Sequence, residues 1–319
     1  MDADRSTARA TPASAEPLRF GVYALPTDES AGLDLLRRLE DLGFDTAWAG
    51  DTLGDWRRPS EPLLDAWVAL GAHAACSRSI ELGMLITNLA WRDPVQVARM
   101  AMSVDRLCGG RFVLGLGCGQ VDDQVMAGPQ AFAMPAGERV DRLAEGTVVI
   151  DRLLRGDLSA FHGRFTDYES AAMAPGPVQQ PRPPLLIAGN GPRVVRLAAD
   201  HADTWNTFMD TDLATFHERT KARVEELDAR LAATGRDPST LRRSLLVFDE
   251  SADVWADDQT LPDIVERFGS LGFTEFVLYP PSDPGSSRLD RLANTVIPDI
   301  RAAHTRAGHH PPRTTAATR

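Results

Sequence analysis

Two spacings of apolar residues alternate along the chain. Short runs rich in aliphatic, β-branched and aromatic residues stand at 18–24, 44–49, 81–88, 112–116, 185–188, 204–208, 241–249 and 274–279. Runs of this kind, with no sustained polar face, suit parallel strands covered on both sides. Between them apolar residues recur every three or four positions, as in Leu33, Leu36, Leu39 and Leu42, or Val140, Leu143, Ile150 and Leu154. That is the period of a helix burying one face. The spacing predicts helices over 63–75, 94–107, 138–154, 213–233, 262–271 and 289–303, and one starting near Arg193. Local punctuation agrees: Asp93 can cap a helix whose first position is Pro94, and Gly109 and Gly110 can end it. Eight strands, each followed by a helix, predict an α/β fold, the closed (β/α)8 TIM barrel, which commonly needs about 250 residues. A doubly wound open sheet is the other arrangement this alternation permits.

The pattern loosens in four places. Residues 1–17 and 306–319 are small and polar and read as disordered tails around a barrel domain at 18–305. Irregular insertions stand near 120–135 and 156–184, expected at the C-terminal face. The second is rich in Gly and Pro and carries Phe161, Phe165 and Tyr168. A structureless stretch this long is either functional or mobile, so a lid and a packed insertion are both open.

Composition then narrows the chemistry. With 319 residues, 43% of them hydrophobic, the chain can bury a large core. A formal charge of -11 argues against nucleic acid and anionic membrane as partners, since both need clustered Lys and Arg. A small-molecule substrate is expected instead. Three cysteines, Cys76, Cys108 and Cys118, with no paired spacing, indicate neither a disulfide framework nor a zinc site, and no metal is expected. His309 and His310 read as solvated tail residues. The N-terminus lacks the apolar core of a secretion signal, and no apolar run nears the roughly 18 residues of a membrane span, so the cytoplasm is the expected place.

In a barrel, chemistry belongs at the C-terminal ends of the strands. Four clusters qualify. Asp51 and Thr52 follow the second strand, where Asp51 either orients a ligand or caps the next turn. Leu85, Ile86, Thr87 and Asn88 end the third. Gly115, Gly117 and Gly119 let a ligand or the chain itself approach the fourth closely, with Gln120 beyond. Their spacing is not that of a dinucleotide fingerprint. Gly189, Asn190, Gly191 and Arg193 make either an anion site at a helix start or a plain turn. Asp249, Glu250, Tyr279 and Arg288 are weaker candidates. No metalloprotease, nucleophile-elbow or phosphate-loop pattern occurs.

These same residues carry a resemblance. Leu82, Gly83, Met84, Leu85, Ile86, Thr87 and Asn88, then Arg92, Asp93 and Pro94, then residues 108–119 with Gly109, Gly110, Arg111 and Phe112 leading to Gly115, Gly117 and Gly119, look like the hallmark of the luciferase-like flavin and F420 oxidoreductases. The likeness runs from about Phe20 to Ala302, and Ala199, Asp200, His201, Ala202, Asp203, Thr204 and Trp205 resemble a further signature of that family. It implies a barrel that holds coenzyme F420, or alternatively reduced FMN, at its mouth. Asp51 is the implied catalytic residue. Asp51, Trp56, Leu85, Ile86, Thr87, Asn88, Gly117, Gly119, Gln120, Gly189, Asn190, Gly191 and Arg193 are the implied cofactor contacts. A cis peptide is implied between Leu85 and Ile86, backing the ring. Thr52 stands where F420-dependent members commonly carry histidine, and a hydroxyl cannot take a proton as imidazole can. His201 reads as a structural residue at a helix end.

The implied activity is hydride transfer between F420 and a small organic substrate, in the branch like methylenetetrahydromethanopterin reductase. The alternatives are an FMNH2-dependent two-component monooxygenase, supplied by a flavin reductase, and a flavin-binding protein without turnover. A homodimer is the family expectation.

Overall fold

The structure is a computed structural model, and it describes residues 16–23, 29–54, 63–119, 134–248, 252–280 and 287–308. Eight strands form a closed, wholly parallel barrel: β1 (Arg19–Tyr23), β2 (Thr46–Ala49), β3 (Glu81–Asn88), β4 (Phe112–Gly117), β7 (Leu185–Ala188), β8 (Thr204–Phe208), β9 (Arg242–Val247) and β10 (Glu275–Leu278). Around the ring their order is β1, β10, β9, β8, β7, β4, β3, β2. The remaining pair, β5 (Phe161–His162) and β6 (Asp167–Tyr168), makes a small antiparallel hairpin. The helices are α1 (Glu29–Asp41), α2 (Ala66–Cys76), α3 (Pro94–Leu107), α4 (Ala136–Leu154), α5 (Pro192–His201), α6 (Leu213–Thr234), α7 (Thr260–Gly269), α8 (Ser287–Arg291) and α9 (Ile297–Gly308).

The helix ends follow from sequence chemistry. Asp93 accepts from the Gln96 amide at 2.9 Å with Pro94 at the first position of α3, and Gly109 and Gly110 take positive φ after it. The second helix starts three residues later than the apolar spacing suggests. There Asp65 caps it, accepting from Trp67 N and Val68 N. The last predicted helix is interrupted by a π turn at Leu292–Val296. Pro298 stands two residues beyond it; it lacks an N–H and its ring crowds the preceding turn, which a widened turn relieves.

Alternation along the strands, hidden in their apolar composition, sorts two cores. Leu185 and Ile187, Leu245 and Val247, and Phe276 and Leu278 pack outward against the helices. Leu186, Leu246 and Val277, one step away on each strand, join Trp48, Leu85 and Val113 in a smaller cluster that plugs the barrel interior. In β3 the alternation breaks, because its register with β4 shifts between Met84 and Thr87. Leu85 and Ile86 consequently both face the interior, and the peptide between them is cis, as the family resemblance implies. Gly115 accommodates this shift. A Cβ there would lie 1.9 Å from the Met84 carbonyl oxygen, a backbone atom that cannot swing away. Gly115→Ala is expected to cost about 3 kcal/mol or more by forcing β3 from β4, read as a lowered urea midpoint.

The 156–184 stretch is a packed insertion, not a lid. Glu145 of α4 accepts three backbone amides, from Arg164, Phe165 and Thr166. Asp105 of α3, fully buried, accepts from Val178 N, Gln179 N and Gln179 Nε2. These bonds fasten the segment to the outer face of the helices, before β7 enters the sheet.

At the opposite end of the barrel, Glu275 opens β10 beneath the plug. Burial pushes its carboxyl up to about 6 from 4.5, although Arg19 and Arg242 pull it down. A folded-state value above the unfolded one favours folding at low pH, and that advantage is lost as pH rises through 6. Relative to Glu275→Gln, the unfolding free energy of the natural protein is expected to fall by about 2 kcal/mol between pH 4 and 7, measured by urea titration.

Candidate functional site

Above the plug, the C-terminal ends of the strands surround a cavity of about 280 Å³. Leu85 and Ile86 form one wall, and the glycine-rich end of β4, with Gly117, Cys118 and Gly119, stands beside it. Gly117 is small because Ile86 lies against it; an added Cβ would sit 2.6 Å from the Ile86 side chain. The next sector is Ala188, Gly189, Asn190 and Gly191 at the end of β7, with Val140 of α4 and Val194 of α5 behind. Asn206, Phe208, Leu246, Phe248 and Tyr23 close the ring, and Asp51 and Thr52 complete it. A second cavity, about 360 Å³, lies off the mouth between Trp255 and α8. It is lined by no strand-end residue of the barrel mouth, and its Arg291 is paired with Asp258.

Asp51 is held from several directions. Its side chain is 3% exposed, and Arg92 grips both oxygens, Nη2 to Oδ1 at 2.6 Å and Nε to Oδ2 at 3.1 Å. The Asn88 amide donates to Oδ2 at 3.2 Å, and the Asp51 amide donates to the Ile86 carbonyl. Arg92 also reaches Asp65, the cap of α2, at 2.7 Å. Hydrogen bonding to Asp51 raises the Arg92 pKa further above its already high value, so the guanidinium stays charged. This bidentate geometry fixes the end of β2 to the shifted part of β3.

The β7 exit divides its tasks. Gly191 caps α5 with no side-chain bond to the first turn, and among the described residues nothing lies within 4 Å of where its Cβ would be. Asn190 is engaged structurally: Nδ2 donates to the Phe208 carbonyl at 3.1 Å, and Oδ1 accepts from Thr207 Oγ1 at 2.6 Å. Arg193, expected to add charge to an anion site, turns away instead. Its guanidinium pairs with Asp141 and donates to the Gly137 carbonyl, both on α4.

A different arginine stands beside the cavity. Arg139, one residue before the lining Val140, is 8% exposed, and its Nε and Nη1 are buried with no hydrogen-bond partner among the described residues. No described carboxylate pairs with it. Burial pushes the neighbouring Cys118 thiol up, against the pull of the Arg139 charge, so the thiol stays protonated at neutral pH. A buried cation without a partner costs several kcal/mol, which an anionic ligand would offset. Asn206 repeats the theme: its Nδ2 donates to Ser244 Oγ at 3.0 Å, while its buried Oδ1 accepts nothing. A cation and a helix N-terminus thus stand beside the cavity, and its lining supplies an unsatisfied acceptor and an apolar wall. That set fits a planar heterocycle bearing a phosphate, which F420 and FMN share.

The structure therefore brings Asp51, Leu85, Ile86, Gly117, Gly119, Gly189, Asn190 and Gly191 to one cavity. Thr87 and Asn88 are buried beside it without lining it; Asn88 accepts from the Ala90 amide and lies against Gly119. Trp56, Gln120, Asp249 and Glu250 fall outside the described residues. His201 is the exposed last residue of α5. Arg139, Asn206, Phe208, Phe248 and Tyr23 escaped sequence reasoning. A period-two reading of β8 would have put Asn206 and Phe208 on one face.

Among the described residues no group of His, Cys, Asp and Glu is arranged to hold a metal ion, and no helix is long and apolar enough to cross a membrane. An F420-dependent hydroxymycolic acid dehydrogenase of Mycobacterium tuberculosis is 28% identical over 284 residues, covering 82% of this chain and 76% of that one. An F420-dependent glucose-6-phosphate dehydrogenase of Microbacterium testaceum is 27% identical over 292 residues, covering 90% and 82%. Among solved structures, an F420-dependent secondary alcohol dehydrogenase in complex with an F420–acetone adduct superposes with a TM-score of 0.77 at 19% identity, covering 89% of this chain and 99% of that one. A monooxygenase from Streptomyces bottropensis gives 0.72 at 19%, covering 88% and 99%. Those two likenesses establish the shared barrel. The luciferase-like monooxygenase family model matches residues 19–257, from β1 past β9, and on that match the chain belongs to this family.

Proposed function

We propose that the chain is an F420-dependent oxidoreductase acting on a small organic substrate at the mouth of the barrel. The observation that carries this reading is the unpartnered guanidinium of Arg139 beside a slot walled by Leu85 and Ile86. The F420-dependent relatives support the choice of deazaflavin. Bound there, F420 would supply a carbon centre that gives or takes a hydride.

The chain's own residues position and exclude. Leu85 and Ile86 would back the ring and keep water from one face. Arg139 and the N-terminal turn of α5 at Gly191 would hold the anionic tail. Asn206, with its unpartnered Oδ1, would accept an N–H of the ring. Asp51, paired with Arg92 through both oxygens, holds the β3 wall in place. Thr52 Oγ1 donates to the Gly54 carbonyl, and no imidazole among the described residues lines the cavity. The Cys118 thiol, raised by burial, holds a proton at the site. A homodimer is expected by family likeness, and the cytoplasm from the unpaired cysteine spacing.

Absorbance titration of the purified protein with F420 and with FMNH2, followed in an oxygen electrode, tests the reading. Tighter binding of F420 without oxygen uptake is expected. Tighter FMNH2 binding with oxygen uptake would instead identify a two-component monooxygenase fed by a flavin reductase. Binding of either without turnover on a substrate panel would identify a holding protein.

A further inference from the structure

The rim of the cavity is divided into two halves of different chemistry. Going round the ring, β2, β3, β4 and β7 present Asp51, Thr52, Leu85, Ile86 and the glycines. The other four strands, consecutive in the ring, each lead into an aromatic residue: Phe208 on β8, Phe248 after β9, Tyr279 after β10 and Tyr23 on β1. Their rings touch in series. Phe208 meets Phe248 edge-on at 6.4 Å between centroids, Phe248 meets Tyr279 at 5.6 Å, and Tyr279 stacks on Tyr23 at 5.6 Å and 25°. Phe208, Phe248 and Tyr23 line the cavity, and Tyr279 holds the last two in place.

From this arc we infer that the substrate is a neutral, largely apolar molecule carrying a ring or branched hydrocarbon, and not a phosphorylated or multiply charged one. The inference rests on the cofactor reading only for which half is left to the substrate. Contiguous aromatic surface binds apolar groups by burial and ring contact, and it offers no counter-charge. No cationic side chain among the described residues lines the cavity. Three guanidiniums stand behind the opposite half: Arg92 pairs with Asp51, Arg223 Nε donates to the Asn190 carbonyl at 3.1 Å, and Arg139 belongs to α4. The one lining carboxylate among the described residues, Asp51, is already paired with Arg92. A phosphate placed against the arc would lose its water and gain nothing in return.

Calorimetry with acetophenone and with glucose 6-phosphate as probes, each on the full chain with and without F420, decides the matter. Acetophenone is expected to bind and glucose 6-phosphate to leave no heat. Phe248→Ala and Phe208→Ala are each expected to weaken acetophenone about fivefold, with Phe248→Leu intermediate. Their F420 affinity should remain that of the natural protein, and circular dichroism melts will report whether each variant folds. Glucose 6-phosphate binding at the cavity, or acetophenone affinity unchanged in both folded alanine variants, would overturn the inference. Failure of F420 to bind would overturn the cofactor reading alone, since the arm without F420 reads the arc directly.

Discussion

Replacing Arg139 by methionine is expected to weaken F420 binding about a hundredfold while leaving the ligand-free protein at least as stable as before. The two effects share one cause. In the ligand-free chain the guanidinium is buried, with Nε and Nη1 unpartnered, and its desolvation is not offset by any described carboxylate. Methionine has similar length, fills the same space and carries no charge, so folding loses a liability. With the ligand present, a charge-assisted contact to phosphate disappears, which is worth roughly 2–3 kcal/mol. Fluorescence titration for affinity and thermal melts for stability check the pair of effects. A variant that loses stability without losing affinity would show Arg139 to be a structural residue.

The second large effect is expected at Asp51, and there stability and binding should fall together. Asp51→Ala strands the Arg92 guanidinium and the Asn88 amide at once, and it frees the β3 wall from β2. Removing one partner of a buried pair costs about 3–5 kcal/mol. Arg92 is 25% exposed and also bonded to Asp65, so water and that second acid recover part of the loss. A loss of about 3 kcal/mol in urea unfolding, with F420 affinity reduced because Leu85 and Ile86 are no longer fixed, is the expected outcome. Asp51→Asn retains an acceptor for the Asn88 amide and should be milder in stability. The contrast between Arg139 and Asp51 separates a residue kept for its ligand from one that builds the wall the ligand meets.

Much of this architecture is legible in the sequence because it rests on local rules. Asp93, Pro94, Gly109 and Gly110 bracket α3 whatever surrounds it, and eight buried runs separated by helical periods leave few ways to close a sheet. The hairpin of β5 and β6 is not legible, since strands of two residues have no period to detect. The site is legible where backbone shape decides, as at Leu85, Ile86, Gly117, Gly119 and Gly191. It is opaque where long-range partners decide. Arg193 looks like an anion-binding arginine from its place after Gly191, yet Asp141, 52 residues earlier, captures it. Arg139, between a glutamate and a valine in a helix start, looks solvated. Only the packing of α4 against the barrel mouth buries it and denies it a partner. The aromatic arc is distributed over four strands separated by more than 250 residues and exists only once the barrel closes.

The most direct test is the structure of the complex with F420. The deazaflavin ring is expected against Leu85 and Ile86, with its phosphate within hydrogen-bond distance of Arg139 and the aromatic side of the cavity left open. Density for the cofactor elsewhere, or a ring stacked on Phe208 and Phe248 with Arg139 still unpartnered, would contradict the account.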